Sequence, residues 1–318
     1  MNRMLALGLL AAVGIAAPLV VYPVLLMTIL CFIIFACSFN LLLGYSGLLC
    51  FGHAMFFGTA AYVTGYVLKN STLSPEAGIL AGAMAAAAMG AVVGLVAVRR
   101  SGIQFAMITF AIAQFVFFVL GKAEFTGRED GMHKIPRRAL LGTIDVSDNF
   151  KYYYFVLAVA ALCVFVFYRI VHSPFGELLK AIRDNEGRVE SLGFKPEQFK
   201  LVALVLSAGL AGLAGGLKAT VYQFATLTDA SWAISGEVIL MTLLGGLGTL
   251  TGPMVGAGLI ILLNDYLAQF GEWALIAQGC ILLIVILVLR RGVVGEATAL
   301  ARRWQPPRRL EPKPQLAA

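Results

Sequence analysis

The chain of 318 residues is 60% hydrophobic and only 13% charged, with a formal net charge of +7. Ordinary soluble domains carry about 25% charged residues, and a water-soluble fold cannot hide this much apolar surface, so lipid is the solvent that fits. Nucleic-acid binding is excluded by distribution: no basic reading element is visible, and Arg290, Arg291, Arg302, Arg303, Arg308, Arg309 and Lys313 collect in the tail, opposed only by Glu296 and Glu311.

In chain order, the apolar stretch near 4–21 imitates a signal peptide, but apolar character resumes straight after Pro23, which predicts a retained first span. Further spans are predicted near 23–43, 47–68, 77–98, 102–121, 152–171 and 201–223, with two or three more between 235 and 290. Each clear segment is close to the roughly 20 residues that cross a ~30 Å hydrocarbon layer as a helix. Alternating ten-residue segments are lacking, which disfavours a transmembrane barrel. The predicted fold is an all-α polytopic transmembrane bundle over residues 1–289, followed by a basic, partly disordered cytoplasmic tail over 290–318.

Basic residues set the orientation. Arg3, Arg99 with Arg100, the loop from 172 to 200 and the tail are expected on the cytoplasmic side. The loop from 122 to 151, with six basic and five acidic residues, falls outside. An even number of crossings must then separate the 172–200 loop from the tail. The stretch GGLGTLTGP, residues 245–253, is a poor helix interior, since glycine costs about 1 kcal/mol there and proline about 3. A break at this point gives about ten spans, broken helices and both termini in the cytoplasm.

Residues 40–68 are apolar yet hold Asn40 and His53 among recurring glycines. Polar groups are expensive in lipid, so both are expected to face the bundle interior. Asn40, Gly44, Tyr45, Gly47, Gly52, His53, Gln104, Thr109, Gln114, Gly245, Gly246 and Gly248 are the candidates for a translocation path or a structural bend. His53 either lines the path or hydrogen-bonds a neighbouring helix to hold the bend. Glu237, Thr242 and Asn264 are further buried polar candidates, with Glu237 expected to cap the short helix before the break. The five cysteines, Cys31, Cys37, Cys50, Cys163 and Cys280, lie in apolar runs without C-x-x-C spacing, which argues against disulfides and metal ligation.

The loop SPFGELLKAIRDNEGRVESLGFKPEQFK, residues 173–200, predicts two short helices. Ser173 caps the first with Pro174 at its first position, Gly187 breaks it, and Gly193 suits the end of the second. Dense mixed charge over a narrow apolar stripe suits docking to another protein; a merely solvated loop is the alternative.

This loop resembles the cytoplasmic signature of ABC importer permeases, in the form found in branched-chain amino acid permeases of the LivM type. Ser173, Pro174, Phe175, Gly176, Leu179, Ala181, Ile182, Arg183, Asp184, Asn185, Glu186, Leu192 and Gly193 match. Asn40, Leu41, Gly44, Tyr45, Gly47, Gly52, His53, Ala54, Phe56, Gly58, Ala61 and Tyr62 stand in register with the family's N-terminal motif, and LVLSAGLAGLAGGL and LLGGLGTLTGPMVGA follow in order. Departures fall at Cys50, at Thr59 and at Arg128 with Glu129.

The resemblance implies one of two unlike permeases in the inner membrane of a bacterium. A second permease, a periplasmic solute-binding protein and two cytoplasmic ATPases would be its partners. Phe175, Gly176, Ala181, Ile182, Arg183, Asp184, Asn185, Glu186, Leu192 and Gly193 would form the ATPase-coupling segment. The chain has no G-x-x-x-x-G-K-[ST] phosphate loop, so ATP would bind to the partners and this chain would carry no cofactor. A urea or short-chain amide importer, and a stand-alone secondary transporter, are the alternatives. A membrane enzyme is disfavoured, because His53, His133 and His172 lie in separate segments.

Overall fold

A computed structural model describes residues 17–19, 21–138, 148–271, 273–288 and 292–296. The predicted first span and the basic tail lie almost wholly outside these residues.

Helix α1 (Pro23–Asn40) opens on a proline, whose missing N–H costs nothing at a helix start, and continues into a π-helical turn, Leu41–Ser46. Gly47, at φ +72°, ends that turn. Residues 47–53 are not regular helix, and α2 (Ala54–Asn70) starts only afterwards. The continuous helix predicted over 47–68 is therefore corrected to an irregular first part and a helical second part. Gly52 explains part of this: a Cβ there would sit 2.3 Å from the Thr109 carbonyl oxygen, so the chain enters against another helix backbone.

Helices α3 (Pro75–Ala97), α4 (Ile103–Lys122) and α5 (Asn149–Val171) follow near their predicted positions. Two short helices, α6 (Pro174–Asp184) and α7 (Glu186–Ser191), lead into α8 (Pro196–Tyr222). After it come α9 (Trp232–Gly245), α10 (Gly252–Leu267) and α11 (Trp273–Val288). The predicted break at 245–253 stands: α9 ends at Gly245 and α10 begins at Gly252. Six segments, including α1 with its π turn, are long and apolar enough to cross a bilayer, so the chain is a multi-pass membrane protein.

Helix α8 is the centre. Lipid tails are as apolar as the side chains, so helices in a bilayer associate through close packing of small residues. Gly90 of α3 meets Ala208, Gly212 meets Ala83 and Ala86, and Gly215 lies against the Phe57 carbonyl. Two glycines of α8 separate packing from helix propensity. A Cβ on Gly215 would stand 2.0 Å from the Phe57 oxygen, whereas a Cβ on Gly209 would meet only Ala87, at 3.6 Å. Gly215→Ala is expected to destabilise the bundle by about 1–3 kcal/mol through overpacking. Gly209→Ala is expected to be neutral or to stabilise by up to about 1 kcal/mol. Thermal unfolding of the two purified variants in detergent checks the difference in sign.

The two ends of the bundle are built differently. At one, strand β1 (Met132–His133) pairs antiparallel with β2 (Phe224–Ala225), in the register Met132 to Ala225 and His133 to Phe224. Arg137 donates from Nε to the Thr220 carbonyl at 2.8 Å, and also to Val221 O and Asn149 Oδ1, covering the carbonyl end of α8. Arg138 donates to the Ser71 carbonyl beyond α2. At the opposite end lie the π turn, the α9–α10 break and the short helices α6 and α7.

Candidate functional site

Asn40, fully buried, stands where α1 becomes π-helical. Its Nδ2 donates to Thr249 O at 2.9 Å and its Oδ1 accepts from Gly248 N at 3.1 Å. Both partners belong to the α9–α10 break, where non-helical backbone has free peptide groups that must be satisfied inside the protein. Asparagine offers a donor and an acceptor on one planar group, which is what a stripped N–H and a stripped C=O require. Gly44 makes room: a Cβ there would lie 2.1 Å from Asn40 Oδ1 and 2.7 Å from Gly248 N.

Helix α6 joins the same point. Ser173 caps it, accepting from Gly176 N at 3.4 Å, and Leu179 and Ile182 are buried beneath it. Gly176 is packed too closely for a side chain, since a Cβ would sit 2.3 Å from the Val171 oxygen. Arg183 then donates from Nη1 to the Gly44 carbonyl at 2.5 Å, and its stem crosses Gly47. A Cβ on Gly248 would come 3.4 Å from that same nitrogen. Lys180 stands 5.7 Å from the Tyr45 ring. The π turn, the helix break and the short surface helix thus meet through Asn40, Gly44, Gly248 and Arg183. The break residues Gly245 and Gly246 adjoin Gly292, whose own Cβ would fall 2.6 Å from Gly246 N.

The helix boundary inside the surface loop is corrected by two residues. It falls at Asn185, whose Oδ1 accepts from Arg188 N at 3.0 Å, while Gly187 lies within α7. A local side-chain cap is a stronger boundary signal than a lone glycine. Gly193 closes the second helix at φ +87°, as expected. Phe175 packs near Phe199, and Glu186 takes an ion pair from Lys200 at 2.5 Å, fixing α7 to the start of α8. Ala181, Asp184, Asn185, Leu192 and Gly193 face outward, and Leu192 is 71% exposed. An exposed leucine among charges offers an apolar contact beside ionic ones.

His53 is fully buried, and its Nε2 lies 2.9 Å from Ser38 Oγ. The Ser38 hydroxyl donates to Phe35 O at 2.7 Å, so His53 Nε2 is the donor in the shared bond. Ser207 donates to Ser38 O at 2.6 Å, and rings of Phe35, Phe39 and Phe56 surround the imidazole. This geometry ties the start of α2 to α1 and α8. Thr109 is buried and bonded to carbonyls of its own helix, Gln114 is partly buried, and Gln104 lies on the outer surface of the chain.

Glu237 is not a cap. Helix α9 begins at Trp232, a full turn earlier, and Glu237 Oε1 accepts from Asn264 Nδ2 at 2.6 Å. Sequence reasoning missed a buried charge pair, Lys218 with Asp229, whose side chains are 18% and 5% exposed. Rings of Phe32, Phe57 and Tyr222 lie 5.7–5.9 Å from the Lys218 ammonium. The signal was present: Lys218 is the one charge in an otherwise apolar run from 201 to 222. Among the described residues, no group of three or more His, Cys, Asp and Glu is arranged to hold a metal ion.

These features define a membrane bundle with a helix break wired to a surface helix. Residues 22–289 match the family described as branched-chain amino acid transport system / permease component, and the chain belongs to that family. It is 28% identical to the high-affinity branched-chain amino acid transport system permease protein LivM of Escherichia coli (strain K12), over 83% of this chain and 67% of the relative. Identity and coverage are the same for the protein of that name in Salmonella typhimurium. A probable branched-chain amino acid transport permease protein LivH of Methanocaldococcus jannaschii is 27% identical over 65% of this chain and 71% of its own length. No solved structure matches the chain significantly.

Proposed function

We propose that the chain is a transmembrane permease subunit of an ATP-driven importer, carrying branched-chain or related amino acids handed over by a periplasmic binding protein. The observation that carries this reading is Arg183, which links the exposed helix α6 to the π turn and, through Asn40, to the helix break. A transporter driven from outside needs such a mechanical input; a stand-alone carrier does not. Rigid-body displacement of α6 by an ATPase would be passed to the break without passing through lipid-facing side chains.

In this reading the chain crosses the inner membrane ten times with both termini in the cytoplasm. The count includes the 4–21 segment, the irregular start of the α2 crossing, and α9 and α10 as separate crossings. The end carrying α6, α7 and the break is cytoplasmic, and the β1–β2 end faces the periplasm, where the binding protein docks. ATP binding and hydrolysis belong to two partner subunits, a second homologous permease completes the path, and this chain holds no cofactor. Relatives named for branched-chain amino acids favour that substrate class over urea or short-chain amides.

Purification of the tagged chain in mild detergent is expected to recover two ATPases and a second permease. ATP hydrolysis by that assembly is expected to rise with a binding protein loaded with a branched-chain amino acid. Intact chain that purifies alone, and transports without ATP, would establish a secondary transporter instead.

A further inference from the structure

Glu237 on α9 and Asn264 on α10 face each other in the half of the bundle away from the break, and they hold an imbalance. Asn264 spends its Nδ2 on Glu237, and its Oδ1 is buried with no partner among the described residues. An ionised carboxylate only accepts, so it forces the amide to turn its N–H toward Glu237 and to leave the carbonyl bare. The neighbouring charges do not restore balance. Lys218 is within electrostatic reach of Glu237, yet its ammonium is already paired with Asp229 and ringed by Phe32, Phe57 and Tyr222. With Glu237 ionised, one cation against two carboxylates leaves one negative charge, beside one bare oxygen, between α9 and α10. Buried charges and stripped polar atoms are costly unless something pairs with them.

We infer that Glu237 and Asn264 form a site for a primary ammonium group, in transit the α-ammonium of the carried amino acid. An ammonium supplies positive charge for the carboxylate and an N–H for Asn264 Oδ1, so it meets both deficits at once. The site rests on the amino-acid reading above and adds to it a preference for substrates with an ammonium over neutral amides.

Glu237→Gln tests it. Glutamine keeps the shape and an acceptor for Asn264 Nδ2, removes the charge, and puts an NH2 group in place of the second oxygen. In proteoliposomes holding the whole complex, leucine uptake is expected to fall at least tenfold, with recovery of the assembled complex unchanged. Unchanged leucine uptake overturns the ammonium site and leaves the amino-acid reading standing; a wild-type complex that carries urea and no leucine overturns both. A second measurement uses the unaltered protein. Leucine and its binding protein, under turnover, are expected to slow modification of Glu237 by a hydrophobic carbodiimide, read by peptide mass spectrometry. Equal modification with and without leucine counts against the site even where the variant fails to assemble.

Discussion

Asn40→Leu is expected to cost about 2–6 kcal/mol and to abolish uptake. Leucine keeps the branched four-atom skeleton of asparagine and is if anything bulkier, so no cavity is created, and the loss comes from Gly248 N and Thr249 O, each left without its partner. An unsatisfied buried group costs about 1–3 kcal/mol, and two are stranded together. Asn40→Asp separates the halves of the effect: it keeps an acceptor for Gly248 N but loses the donor to Thr249 O, and adds a charge in a fully buried position. It should therefore be no better tolerated than leucine. Thermal unfolding in detergent, together with uptake by cells expressing equal amounts of protein, checks both. Wild-type stability for Asn40→Leu would show that the break finds other partners.

In the proposed importer, Arg183→Gln is expected to lower transport about tenfold to a hundredfold while the partner ATPases remain bound. Leu179 and Ile182 keep α6 seated, and Ala181, Asp184 and Leu192 keep its outward face. What is lost is the charged bond to the Gly44 carbonyl, with an exposed ion pair to neighbouring Asp184 that contributes little. Hydrogen bonds to charged groups are worth about 1.5–3 kcal/mol, and a tenfold change corresponds to 1.4. The measurement is uptake per ATP hydrolysed, since a permease that had merely unfolded would lose its ATPases as well. Combining Arg183→Gln with Asn40→Leu should cost less than the sum of the two, because both act on the segment that joins Gly44 to Gly248. Full additivity would separate the surface helix from the break.

Much of this arrangement was legible before any coordinates. The α9–α10 break announced itself because glycines and a proline within nine residues cannot be paid back by helix hydrogen bonds. Ser173 and Pro174 marked the start of α6 through capping chemistry that acts over three residues. Signals that depend on distant contacts were not legible. Residues 47–53 are apolar enough to pass for helix, and only the Thr109 backbone against Gly52 shows why regular helix starts later. Asn40 was recognisable as interior, but its partners are 208 and 209 residues away in sequence. Lys218 went unnoticed because its carboxylate partner sits in a short 3-10 turn, Leu227–Ala230, that reads as loop.

The separation between Asn40 and its partners also sets a clock. Ribosomes add about 5–20 residues per second, so some 208 residues of delay correspond to about 10–40 s. For that interval α1 is in or near the bilayer with its amide unmatched, because neither Gly248 nor Thr249 has yet been made. The π turn cannot take its final partners until α9 and α10 have been synthesised, so the junction of Asn40 with the helix break is among the last parts of the molecule to set. Chains truncated before residue 248 should accordingly be poor at holding the first helices in register and early targets for membrane proteases, even though every residue of α1 is present in them.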